Sequence, residues 1–263
     1  MDGGGTISGT EARVWGSPRT RTQALVIVAH PRSGTHITLD FIRRNFPAFQ
    51  QRLRIWESAS GLYIDLDGPA WRARFEQQRS KSDRLLLQSH HFGLCELESE
   101  CAFHELSPRD TLFIYPFRRF SATMRSFADF SGYPGPVADF LFERDRFFGL
   151  PETVRTCALL HGQAWLDRRA RFLDVDALIA QPERAARRLG RLLGLEPAPL
   201  QRRLPRRRRF YGKLAEAFQR LTGRESTEVR IHRRRAWSSP QESAAVDERF
   251  ADLHARMTMA AVL

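Results

Sequence analysis

Arg32-Ser33-Gly34-Thr35-His36 follows an apolar run, Leu25-Val26-Ile27-Val28-Ala29, and a break at His30-Pro31. The residue types suit an anion. Arg32 supplies a fixed positive charge, Ser33 and Thr35 supply hydroxyl donors, and Gly34 lets the main chain come close. The helical pattern that begins here adds unpaired backbone N–H groups and the positive end of a helix dipole. The chemistry is that of a turn that binds phosphate or sulfate, which points to a nucleotide or another phosphorylated ligand. It is not the lysine-containing G-x-x-x-x-G-K-[ST] loop, because Thr35 and His36 stand where that loop has its lysine and its magnesium-binding hydroxyl. A metal-bound nucleoside triphosphate is the poorer fit.

Such a turn must be held by a strand before it and a helix after it. Ile37, Phe41, Ile42 and Phe46 recur at helical spacing while Arg43, Arg44 and Asn45 can stay wet, and Pro47 stops the helix. Further buried strands are expected at Leu85-Leu86-Leu87, at Thr111 to Tyr115 with Pro116 ending it, and at Ala170 to Val175. Phe120, Met124, Phe127 and Phe130 give the piece from Arg118 to Phe130 a helical period, and Gly132 to Pro136 reads as a loop. Gln181-Pro182-Glu183 opens a helix that runs to Leu193 and ends at Gly194. Pro197, Pro199 and Pro205 lead into Arg206 to Arg209, an exposed connector, and Ala245 to Leu263 reads as a helix with Val246, Phe250 and Leu253 on one face. Strands alternating with helices give an α/β chain: a three-layer P-loop-type fold with a central, mostly parallel sheet flanked by helices. Ligands of such a sheet bind at the carboxyl ends of its strands.

The length of 263 residues suits one domain, expected over 23–263 behind a flexible tail at 1–22. Net charge is +12, yet Lys81 and Lys213 are the only lysines, so an arginine bias accounts for much of it and no dedicated nucleic-acid binding is expected. Cys95, Cys101 and Cys157 are odd in number and lack CxxC spacing, which argues for a reducing compartment and against a zinc site. With no apolar leader and no run of 18 apolar residues, no membrane span is expected, and the chain reads as soluble and cytoplasmic. No pattern sets an oligomeric state.

The turn at 31–36 resembles the 5′-phosphosulfate-binding loop of the sulfotransferases that use 3′-phosphoadenosine 5′-phosphosulfate (PAPS), where proline and a basic residue precede Ser-Gly-Thr after the first core strand. A second stretch is similar to that family's 3′-phosphate site: Tyr115-Pro116-Phe117-Arg118, with Ser126 eight residues further on. A guanidinium fork pairs two phosphate oxygens, and a helix hydroxyl adds a further hydrogen bond. Gln88-Ser89-His90 stands where many members have Lys-Thr-His, whose histidine is the general base. Asp176-Ala177-Leu178, Gln181-Pro182 and Leu192-Leu193-Gly194-Leu195 resemble a structural run of the family, and Arg230-Ile231-His232 with Trp237 resembles the segment that closes over the 3′-phosphate. The resemblance covers about residues 23 to 240.

The resemblance implies metal-free, in-line transfer of a sulfuryl group from PAPS to a hydroxyl or amine of a small-molecule, lipid or glycan acceptor. Its implied catalytic residues are His90, with His91 as the alternative, and Arg32. The implied donor-binding residues are Arg32, Ser33, Gly34, Thr35, His36, Arg118, Ser126 and Arg230, with no metal ligand. An imidazole titrates near neutrality and can take the acceptor's proton, although a histidine at a strand end also serves simply as a hydrogen-bonding turn residue. His36 either contacts the anion or caps the helix, and His104 and His161 read as structural. The departures are Ile37 for a tryptophan near the adenine, Gln88 for a lysine, and Ile231-His232 and Arg235-Ala236 for Lys-Gly and Gly-Asp. Gln88 offers a neutral amide where a cation would meet developing charge, leaving that work to Arg32. Two rival readings are a phosphotransferase of the wider P-loop class, which would bind ATP with metal, and an inactive relative that binds polyanions. Acceptor choice belongs to the loops at 48–80 and 131–155. There Trp56, Tyr63, Trp71, Phe75, Phe147 and Phe148 suit an apolar pocket or the core equally.

Overall fold

The computed structural model describes residues 24–49, 64–67, 71–79, 84–93, 110–168, 170–198 and 239–262. Five strands form one sheet: β1 (Ala24–Val28), β2 (Ile64–Asp65), β3 (Leu85–Ser89), β4 (Thr111–Phe117) and β5 (Arg171–Asp174). Their order is β2-β3-β1-β4-β5 and every pairing is parallel. β1 is therefore central, with Val26 in register with Leu87 on one side and Phe113 on the other. All five of its residues are buried, as a strand covered on both faces requires.

Alternate β1 residues enter two cores. Ala24, Val26 and Val28 join one cluster, Leu25 and Ile27 the other, so the sheet separates two helical layers. The layer over Leu25 and Ile27 holds α1 (Thr35–Asn45), α6 (Val175–Ala180) and α7 (Pro182–Leu193), through Leu39, Ile42, Leu178 and Leu189. The opposite layer holds α3 (Phe120–Ser131), α4 (Val137–Phe140), α5 (Val154–Asp167), α8 (Pro240–Glu248) and α9 (Ala251–Met259), through Met124, Phe140, Trp165, Val246 and Met257. A further helix, α2 (Trp71–Arg79), follows β2.

Several boundaries differ from the expectation. β3 runs on through Gln88 and Ser89, both buried. β4 does not end at Pro116, which pairs with Leu173 inside the strand. The β1 ladder stops at Ile114, so from there β4 is paired along one side only, and a strand paired on one side tolerates a residue without an N–H. The C-terminal segment is two helices rather than one. α8 packs on α3 and α4 while α9 packs on α5, and Phe250 at the break lies flat on Phe120 with ring centroids 4.2 Å apart. α7 ends as expected, with Gly194 left-handed at φ 61°. Residues 1–22, the connector at 206–209, Arg230, Trp237, Cys95, Cys101, His104, Trp56 and Tyr63 lie outside the described residues.

Candidate active site

The anion turn sits between β1 and α1. Gly34 is its N-cap at φ 117°, a conformation that L side chains rarely adopt, and a Cβ there would lie 2.7 Å from Val175 Cγ2. Arg32 has φ 69°, the one non-glycine in the left-handed region among the described residues. Ser33 N donates to His30 O at 3.2 Å, and Thr38 N and Oγ1 both donate to Gly34 O, which locks the turn onto the helix. Ser33 Oγ and Thr35 Oγ1 are buried yet have no hydrogen-bond partner. An unmade bond on a buried hydroxyl costs about 1–3 kcal/mol, so two of them at a helix N-terminus fit an oxyanion that would complete them.

β4 delivers Arg118 to the same place. Its Nη2 donates to Arg32 O at 2.7 Å and to Ala122 O at 3.1 Å, while Nε is buried without a partner. Burial holds Arg118 below the usual arginine pKa, Asp176 at the start of α6 works against that, and the charge of Arg32 adds to it. Arginine stays protonated under such a shift, so the chain places two guanidinium groups beside one turn, an arrangement that favours an anion between them. Ser126, two turns into α3, accepts from Arg32 Nε at 3.1 Å, and the Arg32 guanidinium lies 5.3 Å from the Phe130 ring centroid. Arg32, Ser33, Thr35, Arg118 and Ser126, spread over 95 residues of sequence, thus meet at the carboxyl ends of β1 and β4.

His90 comes from the neighbouring strand end, just past β3. Its N–H donates to Asp67 Oδ2 at 2.8 Å and its Nδ1–H to Ala29 O at 2.6 Å. A main-chain oxygen can only accept, so the proton sits on Nδ1 and Nε2 carries the lone pair. Gln88 Nε2 donates to that lone pair at 3.4 Å. The His90 carbonyl accepts from His161 Nε2 at 3.1 Å, and His161 Nδ1 accepts from the Tyr115 hydroxyl at 3.0 Å. His161 is wholly buried, which holds its pKa well below 6.5, with nearby His30 adding to the shift. His91 turns elsewhere: its Nε2 lies 3.5 Å from Asp67 Oδ1, and its carbonyl accepts from Trp165 Nε1 at 3.1 Å. Of the two histidines, His90 is the one whose ring is tied to the end of β1.

Phe147 meets the His90 ring edge-on at 5.5 Å and is 43% exposed, whereas Phe148 packs on His30, Phe92 and His161. Buried Asp145 fixes this loop by accepting from Phe147 N at 2.8 Å, and burial raises its carboxyl pKa. Phe75, by contrast, is core, packed edge-on against Trp71. His36 is half-buried on α1 and Ile37 beside it is 37% exposed. The sequence reading did not single out Asp67 or Asp176 for the site, named Tyr115 only as part of the stretch leading to Arg118, and took His161 as structural without tying it to His90. Among the described residues no group of three His, Cys, Asp or Glu side chains can hold a metal ion, and no helix is long and apolar enough to cross a membrane.

No family model matches this chain, and no curated protein matches it. Solved structures do. The mouse sulfotransferase SULT7A1 complexed with PAP superposes with a TM-score of 0.51 at 13% identity, over 92% of this chain and 88% of that one. Retinol dehydratase in complex with androsterone and PAP gives 0.46 at 15% identity, over 90% and 82%. The sulfotransferase domain of the Synechococcus PCC 7002 olefin synthase gives 0.41 at 14%, over 89% and 96%. The first of these establishes the fold: the chain has the P-loop-type α/β fold of that sulfotransferase.

Proposed function

We propose that the protein transfers a sulfuryl group from PAPS to a hydroxyl or amine of a second substrate. The observation that carries this reading is the convergence, at one end of a sulfotransferase-type sheet, of an anion turn with two orphaned hydroxyls, a pair of arginines, and a histidine whose Nε2 has its lone pair outward from Ala29. PAPS supplies an activated sulfuryl group whose bridging oxygen leaves with negative charge. The Ser33 and Thr35 hydroxyls and the N–H groups of the α1 terminus would hold its 5′ end, with Gly34 allowing the approach and His36 at the rim. Arg32 would neutralise the leaving oxygen. Arg118, Ser126 and Arg230 would hold the 3′-phosphate, the first two as a guanidinium fork with a helix hydroxyl.

His90 takes the acceptor's proton at Nε2 while Ala29 O keeps its tautomer fixed, a step typically worth about 10²- to 10⁴-fold. Asp67 and His161 hold its main chain from either side. Phe147 offers one apolar wall for the acceptor. The test is calorimetric titration with 3′-phosphoadenosine 5′-phosphate (PAP) in EDTA, with ATP as the control. Micromolar, metal-independent binding of PAP in preference to ATP is expected, and absence of PAP binding rejects the donor assignment.

A further inference from the structure

We propose that Gln88 is a positioning residue for the transferred proton: its side-chain amide turns over to accept from His90 Nε2–H once His90 has been protonated. The inference rests on the reading of His90 as the base. Gln88 lies inside β3, in register with Ile27 of β1 and Asp65 of β2, and is 4% exposed. Two residues apart near a strand end, Gln88 and His90 point to the same side, and their Nε2 atoms are 3.4 Å apart. The other end of the amide, Oε1, is buried and has no hydrogen-bond partner.

An amide differs end from end only in which atom donates and which accepts, so a half-turn exchanges the two roles in place. While His90 is neutral and no acceptor is bound, the NH₂ group donates to the Nε2 lone pair, and the O–H or N–H of a bound acceptor takes its place there. When the acceptor's O–H or N–H bond breaks, the proton forms a new N–H bond at Nε2 and the freed electron pair forms the bond to sulfur. The bond from sulfur to the bridging oxygen then breaks with its electrons on the leaving PAP. The orphaned Oε1 is the acceptor the new N–H requires. A hydrogen bond to a charged donor is stronger than one between neutral groups, so the amide favours protonated His90 over neutral His90. A lysine at this position has donors only, and its charge would work against the protonated ring.

The surroundings leave this role to Gln88. Asp67, on the turn after β2, meets the His90 main chain and the His91 ring rather than the His90 ring. His30 after β1 and His161 on α5 are both held neutral by burial, the former at about 3. Ala29 O takes Nδ1–H, and Phe147 presents only a ring edge.

The test is an NMR titration of the His90 ring in the ligand-free protein, assigned by its loss in His90→Gln, compared across wild type, Gln88→Met and Gln88→Glu. The pH profile of kcat/KM for PAPS consumption, with water as the acceptor, is measured alongside. Gln88→Met should move the His90 midpoint and the acidic limb to lower pH by about half a unit or more, and Gln88→Glu should move both upward. PAP affinity should hold in both variants. A midpoint in Gln88→Met within about 0.2 unit of wild type, or above it, overturns the inference. If that variant does not fold, a failure of Gln88→Glu to raise the midpoint overturns it instead. A wild type that neither binds PAP nor consumes PAPS would sink the sulfotransferase reading, while the NMR midpoints would still decide whether Gln88 holds the proton on His90.

Discussion

His90, Arg118 and Gly34 make separable demands at the scale of single residues. Replacing His90 with alanine removes the proposed proton acceptor and leaves the residues of the turn at 31–36 in place. Turnover should fall by about 10² or more while PAP binding is kept, as steady-state rates and calorimetry would show. Arg118→Met removes a charge-assisted hydrogen bond, worth about 1.5–3 kcal/mol, so the PAP dissociation constant should rise roughly 10- to 100-fold. An unchanged constant would take Arg118 out of the donor site. Gly34→Ala meets both a φ of 117° and Val175 Cγ2 at 2.7 Å, and should lower the urea midpoint even without ligand. The strand, turn and helix start at 24–36 were legible in sequence because their parts are contiguous and each residue type has a local reason. The supports of His90 were not, because Asp67 lies 23 residues before it and His161 lies 71 after, and neither partner carries a mark of its own.

Among elements, strands β1, β3, β4 and β5 were readable because a strand buried on both faces is a run of apolar residues. α5 was not. Its buried face is Val154, Cys157, Ala158, His161, Gly162 and Trp165, correctly spaced for a helix but too small and polar to read as an apolar stripe. Buried histidines on α5 and after β1 have a consequence for stability. His30 is buried with Nδ1–H donating to Pro31 O and with Nε2 unpartnered, and its pKa falls from 6.5 to about 3. Because the folded value lies below the unfolded one, the unfolded chain takes the proton first as pH falls. The stability is whole above 6.5 and is lost on acidification through the window down to about 3. His30 alone should remove about 2 kcal/mol between neutral pH and pH 5, and His161 acts in the same direction. Urea melts at pH 7 and pH 5 would measure the fall, and His30→Leu should flatten it.

For the whole molecule, the chain carries a net charge of +12 and the proposed donor is doubly phosphorylated. PAP at a hundredfold excess over its dissociation constant should add about 2.7 kcal/mol to folding stability, read as a raised Tm that magnesium-ATP does not reproduce. No shift with PAP would show that the pair of arginines serves the fold alone. The α/β class was legible from alternating strand and helix patterns, but the order β2-β3-β1-β4-β5 was not, since parallel neighbours are chosen by crossovers and not by adjacency in sequence.

The β5 side of the sheet has one more property. Beyond α9 the chain turns back so that Ala261 bridges Phe172 in parallel, Val262 N donates to Phe172 O at 2.8 Å, and Arg188 Nη1 donates to Val262 O at 3.2 Å. β2, the opposite border, is only two residues long. Among the described residues the sheet therefore offers a second molecule little open strand on which to add its own, and deleting the residues from 261 onward should raise the apparent mass with concentration relative to the full chain, as light scattering would show.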